Sequence, residues 1–213
     1  DRIYQLRGAV GNDIEIRLDA NRAWKFEDAL RFVNKAADYT ISYIEEPIDQ
    51  PERLAEFAAQ SPIPIAVDET LQDAGWEKLF AWREAEVLKA GCGTELRDSV
   101  RSQAGAWERG MLDAILAARV WVVKPTLVGM PLKYTAQLLS RQLHIDADLV
   151  ISSSFESGLG LTSLANLSAC AGASALPAGL DTSAALLESV LPLPLPRGAF
   201  DLAELNAIAA RFT

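Results

Sequence analysis

Short apolar runs alternate with stretches of helical periodicity along most of this chain. Residues 14–18, 41–44, 63–67, 120–123 and 149–152 read as strands, the third with Pro62 and Pro64 where it begins. Between the first two, residues 26–37 carry Phe26, Leu30, Val33 and Ala37 at the spacing of one helical face. Further helices are predicted over 52–60, with Pro51 suited to the start, over 132–143 and 161–171, and around 183–190. A short strand is expected near 178–180, and the proline-punctuated LPLPLPRGAF of the tail is expected to wrap the surface.

Strands that are continuous apolar runs, each followed by a helix, predict a parallel sheet covered by helices. The fold class expected is therefore α/β, a (β/α)8-type or TIM-like barrel, which builds its chemistry at the C-terminal ends of the strands. Only about six strand–helix units can be counted, where a closed barrel of this type has eight. The chain is accordingly expected to begin in mid-fold or to be a fragment, with residues 1–213 forming one partial barrel domain. One spacing is irregular. Asp68 and Lys124 lie 56 residues apart, against 26 from Asp19 to Glu45 and 23 from Glu45 to Asp68. The excess predicts an insertion at about 72–118, containing Trp76, Trp82 and Trp107, with a structural or accessory role.

Composition narrows the partners. Half of the 213 residues are hydrophobic, which suits a packed core rather than disorder. A net charge of −9 with no basic tract argues against a nucleic-acid partner. No run of 18 apolar residues indicates a membrane span, and the chain opens without a signal-peptide pattern. Cys92 and Cys170, 78 residues apart and outside any CxxC motif, read as reduced thiols of an intracellular compartment.

The candidate chemistry lies where apolar runs close in acid: RLDANRAW (17–24), YIEEP (43–47) and VDET (67–70). Their spacing of about one strand-plus-helix unit returns Asp19, Glu45 and Asp68 to the same end of a parallel sheet. Three carboxylates gathered there make a site for a hard cation, Mg²⁺ before others. Lys124 closes a later strand in VVKPT. A cation, carboxylates and a strand-end lysine suggest chemistry on a carboxylate-bearing substrate. Each feature also has an ordinary structural explanation. Asp19 could cap the following helix, the EEP and DET segments could be polar turns, Lys124 could snorkel from a buried strand, and Ser152–Ser154 could cap a helix. His144 reads as a helix-end residue rather than a ligand. It is the ordered spacing of the acids that favours the cation site.

The ordered set RLDANRAW, IEEP, AVDET, VVKPTLVG, ISSSFESGLGLTSLA and GLDT resembles the enolase superfamily, and within it the o-succinylbenzoate synthases of menaquinone and phylloquinone biosynthesis. The likeness covers roughly residues 14–182 apart from the insertion. No single tetrapeptide is specific, but six motifs in the right order are, and DANRAW with SSSxESGLGLT favours these synthases over the epimerases and racemases. The FESGLGL wording and DET are similar to plant and algal versions. The resemblance implies Asp19, Glu45 and Asp68 as ligands of Mg²⁺ (or Mn²⁺) at the third, fourth and fifth strands, with Glu46 and Glu69 beside them. It implies Lys124 as the catalytic lysine of the sixth strand, and Arg17 and Asn21 as substrate-facing residues. Ser152 and Ser153 of the seventh strand and Gly179 of the eighth would line the pocket for a succinyl arm, partly through backbone N–H groups.

The implied reaction is dehydration of 2-succinyl-6-hydroxy-2,4-cyclohexadiene-1-carboxylate to o-succinylbenzoate through an enediolate. The chain departs from the family in two respects. The 18 residues before Asp19 contain no lysine, where the family has a KxK pair whose second member is its acid/base residue, and these residues are expected to leave out the family's N-terminal capping domain. Two alternatives follow: an N-acylamino acid racemase-like member, or a non-catalytic barrel remnant acting as a binding or assembly module. The expected partners are a small-molecule carboxylate and the missing N-terminal part, in the same polypeptide or on a partner chain. The expected location is cytoplasmic, or plastid for a plant or alga.

Overall fold

A computed structural model describes residues 2–75, 105–127, 147–170 and 176–180. The helices expected over 132–143 and around 183–190, the tail, His144, Cys92 and residues 76–104 of the expected insertion lie outside the described residues. The chain divides into two compact units, Asp1–Trp121 and Val122–Thr213.

The first unit opens with helix α1 (Arg2–Val10), then β1 (Ile16–Asp19), α2 (Phe26–Ala36) with a 3-10 turn Ala37–Tyr39, and β2 (Ile41–Glu45). A 3-10 turn Pro51–Arg53 leads into α3 (Leu54–Gln60), followed by β3 (Ile65–Val67), α4 (Glu69–Ala74), α5 (Ala106–Ala117) and the first half of β4 (Val120–Val123). The second unit holds the rest of β4, then β5 (Asp148–Ile151) and α6 (Gly158–Cys170). Strand order is β1-β2-β3-β4-β5, with β1 to β4 paired in parallel. That unbroken sequential order is the one a (β/α) barrel requires, whereas a doubly wound sheet reverses direction at a switch point. The expected α/β class and parallel sheet are therefore what the chain adopts.

Burial explains the elements. Every residue of β3 and of β4 is buried, so these strands are covered on both faces and read as continuous apolar runs. On α2 the buried residues are Phe26, Ala29, Val33 and Ala36, one face of the helix, with Glu27 and Asp28 in the first turn and Lys35 in the last, where each suits the helix dipole. Phe26 meets Phe57 of α3 edge-on at 5.6 Å between ring centroids, and Phe57 is fully buried. Burying a side chain of that size contributes about 2–3 kcal/mol. Helix α5 packs on α3, on α4 and on the Pro51–Arg53 turn. Its Gly110 permits the closest approach, since a Cβ there would stand 2.7 Å from Glu52 Cβ and 2.8 Å from Glu52 O.

Several boundaries move. β1 runs to Asp19 and starts at Ile16, because Ile14 is exposed. The helix expected from residue 52 begins as a 3-10 turn and becomes α-helical at Leu54. Helix α1 lies outside the expected elements. It is held by Arg7, whose guanidinium donates to the carbonyls of Tyr39 (3.0 Å), Gly11 (2.6 Å), Ile14 (2.7 Å) and Thr40 (2.9 Å). Gly11, at φ +74°, ends the helix in the left-handed conformation that glycine adopts without strain.

Candidate functional site

In the first unit the ends of β1, β2 and β3 carry the three predicted ligands. Register pairs Arg17 with Tyr43 and Asp19 with Glu45. An irregularity between Ile16 and Arg17 adds one residue on the β2 side; without it Asp19 would fall opposite Ile44. Asp19 is exposed, Glu45 half-buried and Asp68, one residue beyond β3, 1 % exposed. The Asn21 N–H donates to Asp19 Oδ1 at 3.0 Å, an Asx turn that orients the carboxylate. Asp68 Oδ1 accepts from Gln72 Nε2 at 2.8 Å. Among the described residues no three His, Cys, Asp or Glu side chains stand close enough to form a ready-made metal cluster. The donor chemistry nevertheless suits a hard divalent ion: these are carboxylate oxygens on consecutive strand ends.

Arg17 alternates onto the same side of β1 as Asp19, as expected. Its guanidinium lies 5.4 Å from the centroid of the Tyr43 ring, with Glu15 at 3.8 Å. Burial raises the Tyr43 phenol above its ordinary pKa, and the Arg17 charge only partly opposes this, so the ring remains neutral.

Two residues of this unit escaped the sequence reading, or were underrated by it. Glu46, expected only as a neighbour of the ligands, is fully buried. Its Oε1 accepts the N–H of Asp68 (2.9 Å) and of Thr70 (2.7 Å), and its Oε2 accepts Thr70 Oγ1 (2.8 Å) and Arg22 Nε (3.0 Å). Arg22 also donates to Asp73 Oδ2 at 2.7 Å and to Thr70 Oγ1 at 3.1 Å. Burial works against the Arg22 charge, but Glu46 and Asp73 outweigh it and raise its pKa, so the guanidinium stays protonated. The DANRAW and EEP motifs contained both residues, but no local pattern reveals a pairing 24 positions apart.

In the second unit Lys124 is half-buried one residue past β4, where the Leu127 N–H closes a turn on its carbonyl at 3.0 Å. Ser152, Ser153 and Gly179 are brought together. Ser152 and Gly179 form a parallel bridge, which supplies the short strand pairing expected near 178–180. The hydroxyls of Ser153 (3.0 Å) and Ser152 (3.3 Å) both donate to Gly179 O. The Ser152 N–H donates to Val123 O (2.9 Å), the Ser153 N–H to Gly179 O (2.8 Å) and the Gly179 N–H to Ile151 O (2.9 Å). These amides are engaged by continuation of the parallel ladder past β5.

Glu156 is a further missed residue. It accepts from the Ser154 N–H (2.6 Å), from Ser154 Oγ (2.9 Å) and from Thr126 Oγ1. Burial pushes its carboxyl up, but the bonds from Thr126 and Ser154 outweigh that and hold it below the ordinary glutamate range. The SSSFES wording put an acid two residues after a serine, a signal for such a local turn.

The family model described as "Enolase C-terminal domain-like" matches residues 1–89. The o-succinylbenzoate synthase of Vibrio cholerae serotype O1 is 32% identical over 197 residues, covering 91% of this chain and 49% of the relative. The chain thus spans about half the length of the curated relatives it matches. Among solved structures, MenC from Desulfotalea psychrophila LSv54 is 28% identical with a TM-score of 0.63, over 94% of this chain and 47% of that one. The dipeptide epimerase from Enterococcus faecalis V583, solved in complex with Mg and the dipeptide L-Leu-L-Tyr, is 25% identical with a TM-score of 0.61, over 89% of this chain and 45% of that one. No helix among the described residues is long and apolar enough to cross a membrane.

Proposed function

This chain belongs to the enolase superfamily, and from that premise we propose that it is the barrel portion of an o-succinylbenzoate synthase-type lyase. The reaction is dehydration of 2-succinyl-6-hydroxy-2,4-cyclohexadiene-1-carboxylate. The proton α to the carboxylate leaves first, the ring hydroxyl then departs as water, and the ring becomes aromatic. The observation that supports this reading is the placement of carboxylates at three consecutive strand ends, with Asp19 directly across from Glu45.

Asp19, Glu45 and Asp68 would hold Mg²⁺ or Mn²⁺, with Asn21 orienting Asp19. When bound, such an ion stabilises negative charge developing on carboxylate oxygens. Lys124 is assigned the role of a fixed ammonium against the developing anion, an electrostatic role whose loss in comparable sites costs about 10²–10³ in rate. Arg17 offers a guanidinium to a substrate carboxylate, and Tyr43 limits its motion by stacking. Ser152, Ser153 and Gly179, held together by the bridge after β5, would line the pocket for the succinyl arm.

The test is cation-dependent dehydration by the purified protein, with a chelator and Lys124→Ala as controls. Turnover that vanishes in both supports the proposal. Cation binding with no turnover overturns the lyase assignment for this chain while retaining the carboxylate set, and absence of both overturns the whole reading. The likeness to the dipeptide epimerase favours a second reading, a racemase or epimerase; exchange of a substrate α-proton with solvent deuterium, without dehydration, would select it.

A further inference from the structure

The Glu46 cluster takes no part in the proposed chemistry, yet it reaches each loop that carries a ligand candidate. Arg22 stands three residues after Asp19, Glu46 follows Glu45, and the backbone N–H of Asp68 itself donates to Glu46. Both Glu46 oxygens carry two donors, which leaves this acid poorly suited to be a ligand and well suited to hold others. The backbone is strained at the same points. Arg22 (φ 56°) and Glu46 (φ 41°) lie in the left-handed region, which side chains other than glycine adopt at a cost, and the Arg22 N–H donates to Glu46 O at 2.7 Å. Glu46, at positive φ, is fully buried and bonded to the turn after β3, while the preceding Glu45 stays half-buried at the strand end.

We infer that Arg22 and Glu46 form a positioning pair: they lock the turns after β1, β2 and β3 so that Asp19, Glu45 and Asp68 present their carboxylates to a divalent cation, and they set its affinity without being ligands. This rests on the reading of those three residues as cation ligands. Charge supports it. Left unpaired, Glu46 would be a buried acid competing for the same ion; Arg22, which cannot deprotonate, removes that competition. Partners that orient metal ligands in this way are worth about ten- to a hundredfold in affinity.

Glu46→Gln is a revealing substitution. Its amide oxygen can still accept the Asp68 and Thr70 N–H groups, but its NH₂ then faces the donors of Arg22 and Thr70. The experiment is Mn²⁺ titration, followed by electron paramagnetic resonance, of the full chain and of Arg22→Lys, Arg22→Gln, Glu46→Gln and Arg22→Gln/Glu46→Gln. Each is measured well below its melting temperature, beside Asp68→Asn. Amide exchange at Asp68 and Thr70 is read without metal.

Glu46→Gln and Arg22→Gln are expected to weaken Mn²⁺ binding about ten- to a hundredfold and to speed exchange at both amides. The double variant is expected to lose less than the product of the single losses, because the two residues act as one unit. Arg22→Lys, which keeps the charge and folds most readily, should recover part of the affinity. Mn²⁺ affinities of the folded variants within about twofold of the parent, with binding lost in Asp68→Asn, would overturn the positioning role and leave the cation set standing; a twofold change is only about 0.4 kcal/mol. A parent chain that binds no Mn²⁺ would overturn both.

Discussion

The strand ends of the two units are built from different materials. After β1, β2 and β3 the turns are charged: Asp19, Glu45, Glu46 and Asp68 stand there, and the Glu46 carboxylate binds Arg22 and the backbone N–H groups of Asp68 and Thr70. After β4 and β5 they are mostly hydroxyl and backbone, with Ser152 and Ser153 bonded to Gly179 and Thr126 and Ser154 bonded to the Glu156 carboxylate. The neutral hydrogen bonds to Gly179 contribute about 1 kcal/mol each. A buried ion pair is different, since removing one partner leaves a desolvated charge. The first region is therefore specified in an all-or-none manner, and the second by small additive terms.

The sharpest way to break this contrast is through the cation. Asp68→Asn is expected to lower Mn²⁺ affinity by about a hundredfold or more, the upper end of what even indirect partners cost. Lys124→Ala should leave that affinity unchanged while reducing turnover about 10²–10³-fold. Calorimetric Mn²⁺ titration and steady-state rates of both variants check the pair, and a Lys124→Ala protein that loses the cation would merge the two regions' roles. Next in size, Arg22→Ala should destabilise the fold by about 3–5 kcal/mol, because fully buried Glu46 loses its counter-charge; urea denaturation measures it. Ser153→Ala, by contrast, should cost only about 1 kcal/mol, the worth of one neutral bond to Gly179.

The smallest effect is on pH. Glu156 is held below its ordinary value of 4.5, so the unfolded chain binds a proton more readily than the folded one as pH falls. Its contribution is complete above that value and is lost as pH drops through the lower folded-state pKa. The melting temperature of the parent should therefore fall more steeply below about pH 4.5 than that of Glu156→Gln. Parallel curves would remove Glu156 from the list of residues that hold the second region.

Much of this was legible along the chain. The apolar runs placed β1 to β5 within two residues of their ends, and β3 and β4, buried throughout, leave no polar interruption. The acids that close those runs could be named for the same reason. Helix α1 was not legible: its apolar residues Tyr4 and Leu6 are exposed, and what fixes it is a buried arginine binding carbonyls more than thirty residues away. The engagement of the Ser152, Ser153 and Gly179 amides was equally hidden, because a ladder's length depends on its neighbour as much as on the strand itself.

The sequence by itself determined the α/β class, the order of the strands and the identity of the strand-end acids, because burial and periodicity are local properties of the chain. Only the tertiary structure decided which acid of the EEP segment turns inward. It also set Asp19 opposite Glu45, through a one-residue slip in register, and made Arg22 the partner of Glu46. Those choices belong to contacts between segments more than twenty residues apart, where backbone strain, desolvation and charge pairing are settled together.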